Sequence, residues 1–534
     1  MASAGSASSA WAPLRIPVFR ALWIASLVSN VGTWMQTVGA QWLVVHDAHA
    51  AVLVSLVQTA YTLPAVLFAL VGGVLADIFN RVKLLVAVLA GMTAAGAALT
   101  VLTAVHRMPP ALLLMFTFVL GTGAILTLPA YQSLVPDMVP REEIPSAAAL
   151  SSISINLSRA IGPAIAGVLV AQIGVAAVFA VNTATILLYA IVVAAHPRLG
   201  GTPKSPERFL PGLRAGGRYV RNAPVVQRIL LRAALFLVPG TALWALLPLI
   251  ATTRLGLGAG GYGLLLAALG VGAIGGAFIL PRLRARLSAN ALVAAASLVY
   301  AAALVVVVLS RNVALTIVVL LPAGVAWIAF LSNVNAAMQL FLPQWVRARG
   351  LAVYQMVLFG AQAGGAVIWG LIAGADGLMP SFLIAAAVMA AGAATIWFWP
   401  FYKIENMDRS LVRWPDPQLL ISADGGRLVL VQTTYTISPD REQPFLQAMA
   451  QLRRSRLRTG ATDWGLYQDG QNPRLFIELF SVPSWDEHLR QHDERQTGTD
   501  LQYHDAAAAL SDPPPRTDHY LAAAVREQPA PAGS

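Results

Sequence analysis

The chain of 534 residues is 57% hydrophobic and 11% charged, with a mean hydropathy of +0.66, values outside the range of soluble globular domains. Its net charge of +11 is divided unequally: residues 1–400 hold 22 Lys and Arg against 7 Asp and Glu, whereas residues 401–534 hold 14 against 18. The basic excess lies in short loops between apolar runs, where it sets membrane orientation, which argues against nucleic acid as a partner; the absence of Cys excludes disulfides and thiolate metal sites.

After a polar segment over residues 1–20, apolar runs recur as far as Pro400, each long enough at about 1.5 Å per residue to cross a hydrocarbon core of about 30 Å. Turn signals between runs predict spans over 21–45, 52–76, 82–104, 111–136, 146–171 and 175–195. A cytoplasmic central loop is expected over 197–227. Six further spans are expected over 228–252, 261–280, 289–309, 313–340, 350–373 and 380–400. The first run is longer than a signal-peptide core and is expected to be retained.

Numbering the loops alternately places Arg15, Arg20, Arg81, Lys83, Arg141, Arg198, Lys204, Arg208, Arg214, Arg218, Arg221, Arg228, Arg282, Arg284, Arg286, Arg347 and Arg349 on one side. The other side has Arg107, Arg254 and Arg311. The positive-inside rule therefore puts both termini in the cytoplasm.

Sliding the chain against itself by 203 residues aligns Gly73 with Gly276, Arg81 with Arg284, Lys83 with Arg286, Gly121 with Gly324, Pro140 with Pro343, Gly162 with Gly365 and Gly167 with Gly370. A single offset serving loop cations and glycines alike predicts two homologous six-helix halves, 21–196 and 228–400.

The loop after the second span reads GGVLADIFNRVKLL; its Gly73, Leu75, Asp77, Asn80, Arg81 and Lys83 resemble the signature between the second and third helices of the major facilitator superfamily. The fifth span carries Asn156, Arg159, Gly162 and Pro163, and is similar to that of the branch containing enterobactin exporters and transmembrane secretion effectors. DWGLYQDG at 463–470 and SWDEHLRQHDER at 484–495 resemble the cytoplasmic extension of many members of that branch. The resemblance implies alternating access between the halves. It also implies that Gly73, Asp77, Arg81 and Lys83 form a gating loop, Asp77 latching the cytoplasmic side through a helix start and cations such as Arg347 or Arg349. Thr117 stands where the family's antiporters carry a membrane-embedded Arg, so proton antiport is not implied.

Arg159 falls about 20 Å into the fifth span, too deep to reach water along its own helix. A charge facing lipid at that depth costs at least about 2.5 kcal/mol, so the side chain is expected to face the bundle interior. It could bridge helices through backbone carbonyls or contact substrate. Every Asp and Glu of residues 1–400 falls at a span end or in a loop, so a cation in the cavity favours an anionic or acceptor-rich, polyhydroxylated solute. Gln362 is its repeat equivalent. Asn30, Trp34, Thr37 and Gln41 share one helical face of the first span and are candidate cavity lining, with Gln58 and Tyr61 beside them. Gly162, Pro163 and Gly167 allow close helix packing or a hinge.

Beyond a linker over 401–426 the hydrophobic period changes from helical to mixed. Strands are expected at 427–437, 462–469, 474–482 and 517–525, with helices at 440–458 and from Ser484. The order βαββαβ reads as a ferredoxin-like domain over 427–525 followed by a disordered tail over 526–534. His488 and His492 are spaced for a metal, but the charged residues around them favour a solvated helix face.

The chain is thus expected to be an all-α membrane bundle of twelve helices with the major facilitator fold, followed by a small α+β domain. Its expected function is secondary active transport, the export of a siderophore, drug or other small metabolite across a bacterial inner membrane, with the lipid bilayer as its surroundings. No cofactor or metal site is expected. The alternatives are a membrane-anchored monooxygenase-like enzyme, which the tail's fold suggests, or a transporter whose tail regulates it or forms a homodimer.

Overall fold

The computed structural model describes residues 11–197, 199, 209–343, 345–400, 410, 412 and 427–523. The side chains of residues 70, 73, 74, 76–78, 209–215 and 348 lie outside that description, as do the expected terminal tail and the expected linker apart from residues 410 and 412.

The chain forms two compact units. The first holds the apolar helices α1 Pro17–Leu43, α2 Ala50–Ile78, α3 Arg81–Ala104, α4 Pro110–Met138, α5 Ile144–Gln172 and α6 Val175–Ala194. After the intervening α7, Phe209–Asn222, come α8 Pro224–Leu249, α9 Ala259–Arg286, α10 Ala289–Leu309, α11 Val313–Phe341, α12 Arg347–Ala375 and α13 Leu378–Ala394. Ten helices among the described residues are long and apolar enough to cross a membrane.

The offset of 203 residues reappears in the backbone. It carries the bounds of α4 onto those of α11 and the bounds of α5 onto those of α12. Gly174 and Gly377, again 203 apart, precede α6 and α13 with φ of 109° and 92°, a left-handed turn open to glycine and strained for other residues. Packing repeats in the same way. A Cβ at Gly162 would lie 2.9 Å from the Val31 carbonyl of α1, and one at Gly365 2.6 Å from the Val238 carbonyl of α8. In each half the fifth helix therefore closes onto the first at a glycine, as small-residue contacts do where lipid offers no hydrophobic driving force.

Helix starts follow local chemistry. Asn80 caps α3 by accepting from the Lys83 N–H, and Ser288 caps α10 by accepting from the Ala291 N–H. At the end of α13, Arg232 donates to the Gly392 and Trp399 carbonyls and the Thr395 hydroxyl, supplying donors to a helix C-terminus.

The second unit comprises Leu210–Gln227, Met338–Val353 and the chain from Tyr402 onward. Its centre is an antiparallel sheet of β1 Val429–Thr436, β2 Asp463–Gln468, β3 Leu475–Val482 and β4 Arg516–Leu521 in the order β2-β3-β1-β4. Helix α14, Glu442–Thr459, follows β1; α15 Trp485–Arg490, a π turn over Gln491–Arg495 and α16 Gly498–Ala508 follow β3. Alternate residues of β1, from Val429 to Tyr435, are buried, giving the period of two that lays one face on a core of Phe445, Met449, Leu452, Phe476 and Phe480.

Two expectations are corrected here. The interval 197–227 is not loop throughout, because α7 occupies Phe209–Asn222; of its expected cations, Arg198, Lys204 and Arg208 lie outside the described residues. His488 and His492 do not lie on a solvated face. Both are buried, as are Gln491 and Arg495, because the π turn rotates the helix so that its charged residues find internal partners.

Candidate functional site

Arg159 projects from α5 with its guanidinium carbon 5.3 Å from the centroid of the Trp34 ring on α1. It donates no hydrogen bond among the described residues, and its Nε is enclosed without a partner, although part of the side chain keeps accessible surface. Tyr61 of α2 is its electrostatic neighbour. A guanidinium presents five donors; here one aromatic face engages it.

Trp34 also meets Trp244 of α8, with ring centroids 6.0 Å apart. The first helices of the two halves therefore touch beside Arg159. About two turns further along α1, Gln41 donates to the Trp244 carbonyl at 3.4 Å and accepts from the Tyr262 hydroxyl of α9 at 2.5 Å. Residues 41 and 244 are themselves separated by the repeat offset, the arrangement expected where equivalent helices face across a pseudo-two-fold axis.

The face predicted from spacing is therefore divided. Trp34 and Gln41 reach the other half, whereas Asn30 donates to the Ser154 hydroxyl of α5 at 3.4 Å. Thr37 donates to the Thr33 carbonyl and lines a small internal space with Tyr61. This space, about 10 Å³ and thus near the size of one water, is also lined by Thr33, Gln36, Thr117 and Asn182. The Asn182 side-chain amide donates to Gln36, and its Oδ1 is enclosed without a partner. Gln362 donates to the Leu358 carbonyl of its own helix at 3.3 Å, and Gln58 is partly buried.

Gln36, Asn182 and Trp244 were not singled out from sequence. Asn182 alone had a usable signal, a lone amide within an apolar run of twenty residues. Gln36 and Trp244 depend on which helix lies opposite.

Further contacts join the halves. A Cβ at Gly263 of α9 would lie 2.6 Å from the Pro163 carbonyl and 3.0 Å from the Gly167 Cα of α5, and one at Gly370 of α12 would strike the Ser55 side chain of α2. Thr59 of α2 donates to the Ala363 carbonyl of α12 at 3.2 Å. Gly162 meets α1 rather than the opposite half, its Cβ position lying 2.6 Å from the Trp34 Cβ.

Of the gating-loop residues, Gly73 and Asp77 fall outside those whose side chains are described. Arg81 donates to the Ser133 carbonyl at 3.1 Å and lies 3.5 Å from the Asp137 carboxylate of α4; Lys83 supplies its backbone N–H to the Asn80 cap. No group of three or more His, Asp or Glu side chains suited to a metal occurs among the described residues.

Residues 8–528 match the profile of a family described as transmembrane secretion effector. YfiS, an uncharacterized MFS-type transporter of Bacillus subtilis, is 28% identical over 233 residues, 41% of this chain and 55% of its own. The staphyloferrin A transporter of Staphylococcus aureus is 24% identical over 228 residues, 42% of this chain and 57% of its own. The enterobactin exporter EntS of Shigella boydii is 30% identical over 239 residues, 44% of this chain and 56% of its own. The chain thus spans little more than half the length of these curated relatives. Among solved structures, a bacterial homolog of the human lysosomal transporter Spinster, in an inward-facing and occupied conformation, has a TM-score of 0.60 and 16% identity over 72% of this chain and 97% of its own, a likeness of fold.

Proposed function

This chain belongs to the transmembrane secretion effector family, and on that premise we propose that it is a secondary active exporter of a small organic solute, working by alternating access of two six-helix halves. In this reading α1 and α13 join the ten candidate spans to make twelve. The loop cations orient both termini to the cytoplasmic face of the inner membrane. The halves are 21–196 and 228–400, and the strand order β2-β3-β1-β4 supports a ferredoxin-like reading of 427–525. The relatives described above are transporters and exporters, which disfavours the monooxygenase alternative.

The observation that carries the reading is Arg159: a fixed cation deep in the bundle, resting on Trp34 where the two halves meet, with an enclosed donor and no hydrogen-bond partner among the described residues. A buried donor left unmade is costly, and a solute carrying carboxylate, catecholate or several hydroxyls would satisfy it. Trp34, Thr37, Gln41, Tyr61, Asn30, Gln58 and Gln362 are the surrounding candidates. Contacts such as Gly370 with Ser55 and Gly263 with Gly167 lie toward the end of the bundle opposite the start of α1 and the end of α13. With cytoplasmic termini, this is a conformation closed toward the outside.

Metabolite profiling of a deletion strain tests substrate and direction together. Export predicts a compound that accumulates inside the mutant and returns to the medium on complementation; depletion of an internal compound would indicate import. The gating role of Asp77, with Gly73, Arg81 and Lys83, predicts that Asp77→Asn expresses normally but loses most efflux, because a charge-assisted latch is weakened without disturbing a core.

A further inference from the structure

The second unit is more than a tail. It includes α7, which lies in sequence between the two halves, and the turn between α11 and α12, both folded together with the sheet domain. Trp345 of that turn is the meeting point. Its ring stands edge-on to Tyr219 of α7, centroids 5.8 Å apart and planes at 86°, and the Arg495 guanidinium carbon lies 4.6 Å from the ring centroid.

Arg495 is itself fixed in the domain. It donates to the Thr459 carbonyl at the end of α14 at 3.0 Å and pairs with the Glu487 carboxylate at 2.8 Å. Around this stack, Arg218 of α7 interacts electrostatically with Glu487, and Tyr219 with Arg458. A Cβ at Gly216 would lie 2.8 Å from the Arg349 Cβ, so α7 runs against the first turn of α12 at a residue small enough to allow it. Tyr219 and Val346 are buried. The chain entering the domain is tied to the same place, since the Val412 N–H donates to the Gln496 carbonyl and the Gly498 N–H to the Ser410 carbonyl.

We propose that the C-terminal domain is a clasp that fastens α7, which lies in sequence between the halves, to the α11–α12 turn through the Tyr219–Trp345–Arg495 stack, and that fastening or releasing it biases the transport cycle. The physical basis is constraint. An inter-half connector left as coil leaves the halves free to rock, whereas one folded onto a turn of the second half can move only with it or by breaking the stack. The inference rests on the alternating-access reading, but its test requires no substrate.

The test uses full-length protein in lipid nanodiscs. Trp345→Leu removes the ring while leaving the Arg495–Glu487 pair; Arg495→Lys keeps a cation for the ring and serves as the conservative variant. Hydrogen exchange is followed over 209–222 and 341–349, with β1, β3 and α14 as internal controls for an intact domain. The reaction rate of a maleimide with Ser55→Cys, placed between the halves in a chain that has no other cysteine, reports their opening. The expected result for Trp345→Leu is exchange at least threefold faster in the two clasp segments, unchanged exchange in the controls, and a maleimide rate altered at least threefold. Arg495→Lys should lie closer to wild type on both readouts. Unchanged exchange in the clasp segments would overturn the clasp, and faster exchange with an unchanged maleimide rate would overturn its control of the halves. Either result would leave the exporter reading to be judged by metabolite profiling.

Discussion

Arg159 of α5 lies with its guanidinium 5.3 Å from the Trp34 ring centroid of α1, so a cation deep in the bundle rests on an aromatic face instead of a carboxylate. Such a contact contributes about 0.5–2 kcal/mol and leaves the in-plane donors available. Arg159→Gln is expected to weaken binding of an anionic substrate about 10- to 100-fold, the loss of a hydrogen bond to a charged group. Arg159→Lys should retain part of the affinity. The check is ligand-induced thermal stabilisation of purified protein with anionic and neutral ligands. A loss of stability common to both substitutions and independent of ligand would assign Arg159 to packing.

The α5–α9 contact should be sensitive to any added side chain. Because a Cβ at Gly263 would sit 2.6 Å from the Pro163 carbonyl, Gly263→Val must push the helices apart. Overpacking typically costs about 1–3 kcal/mol, and a clear fall in the melting temperature of detergent-solubilised protein is expected. Gly260→Ala, at a position whose added Cβ would have its nearest neighbour 4.0 Å away, serves as the tolerant control.

In the sheet domain, Glu478 is fully buried and accepts from Arg456 at 3.3 Å, Trp464 at 2.8 Å and Tyr435 at 3.2 Å. Removing the carboxylate would take from the buried Arg456 its ion pair with Glu478. Glu478→Ala is therefore expected to destabilise the domain by about 3–5 kcal/mol, whereas Tyr435→Phe, which deletes one hydrogen bond, should cost about 1 kcal/mol. Urea unfolding followed by hydrogen exchange of β1 and β3 separates the two; equal effects would refute the hierarchy.

His488 is 1% exposed, and burial, with His492 and His519 nearby, lowers its pKa from 6.5 to about 3; burial likewise lowers His519. The unfolded chain then binds more protons than the folded one below pH 6.5, so stability is full above that value and is lost as pH falls toward 3. Between pH 6.5 and 5, His488 alone should remove about 2 kcal/mol, at about 1.4 kcal/mol per pH unit. Calorimetry of full-length protein at pH 7 and 5 measures the shift, and His488→Phe should flatten it. An unchanged pH dependence in that variant would assign the effect to other groups.

Much of this molecule was legible in the sequence because its solvent is a bilayer. Backbone groups in hydrocarbon must bond within their own helix, so apolar length alone located the helices, and most predicted spans fall within a few residues of α2–α6 and α8–α12. The offset of 203 residues was equally visible, and it reappears as the paired bounds of α5 and α12 and the paired turns at Gly174 and Gly377. Alternating burial likewise made β1 and β3 readable.

What lies opposite each side chain was decided only by tertiary structure, because a helical period defines a face but not the neighbour it meets. Asn30, Trp34, Thr37 and Gln41 share one helical face by spacing, yet they end on Ser154, on Arg159 and Trp244, at the small space beside Tyr61, and on Tyr262 respectively. His488 and His492 sit among charged neighbours that suggest a solvated face, and only the π turn and the partners of Arg495 and Glu487 turn that segment inward. Trp345, a tryptophan in a short basic turn, has no local signal for its role: its partners are 126 residues before it and 150 after it, and contacts over such separations form only when the packed elements have already been brought together.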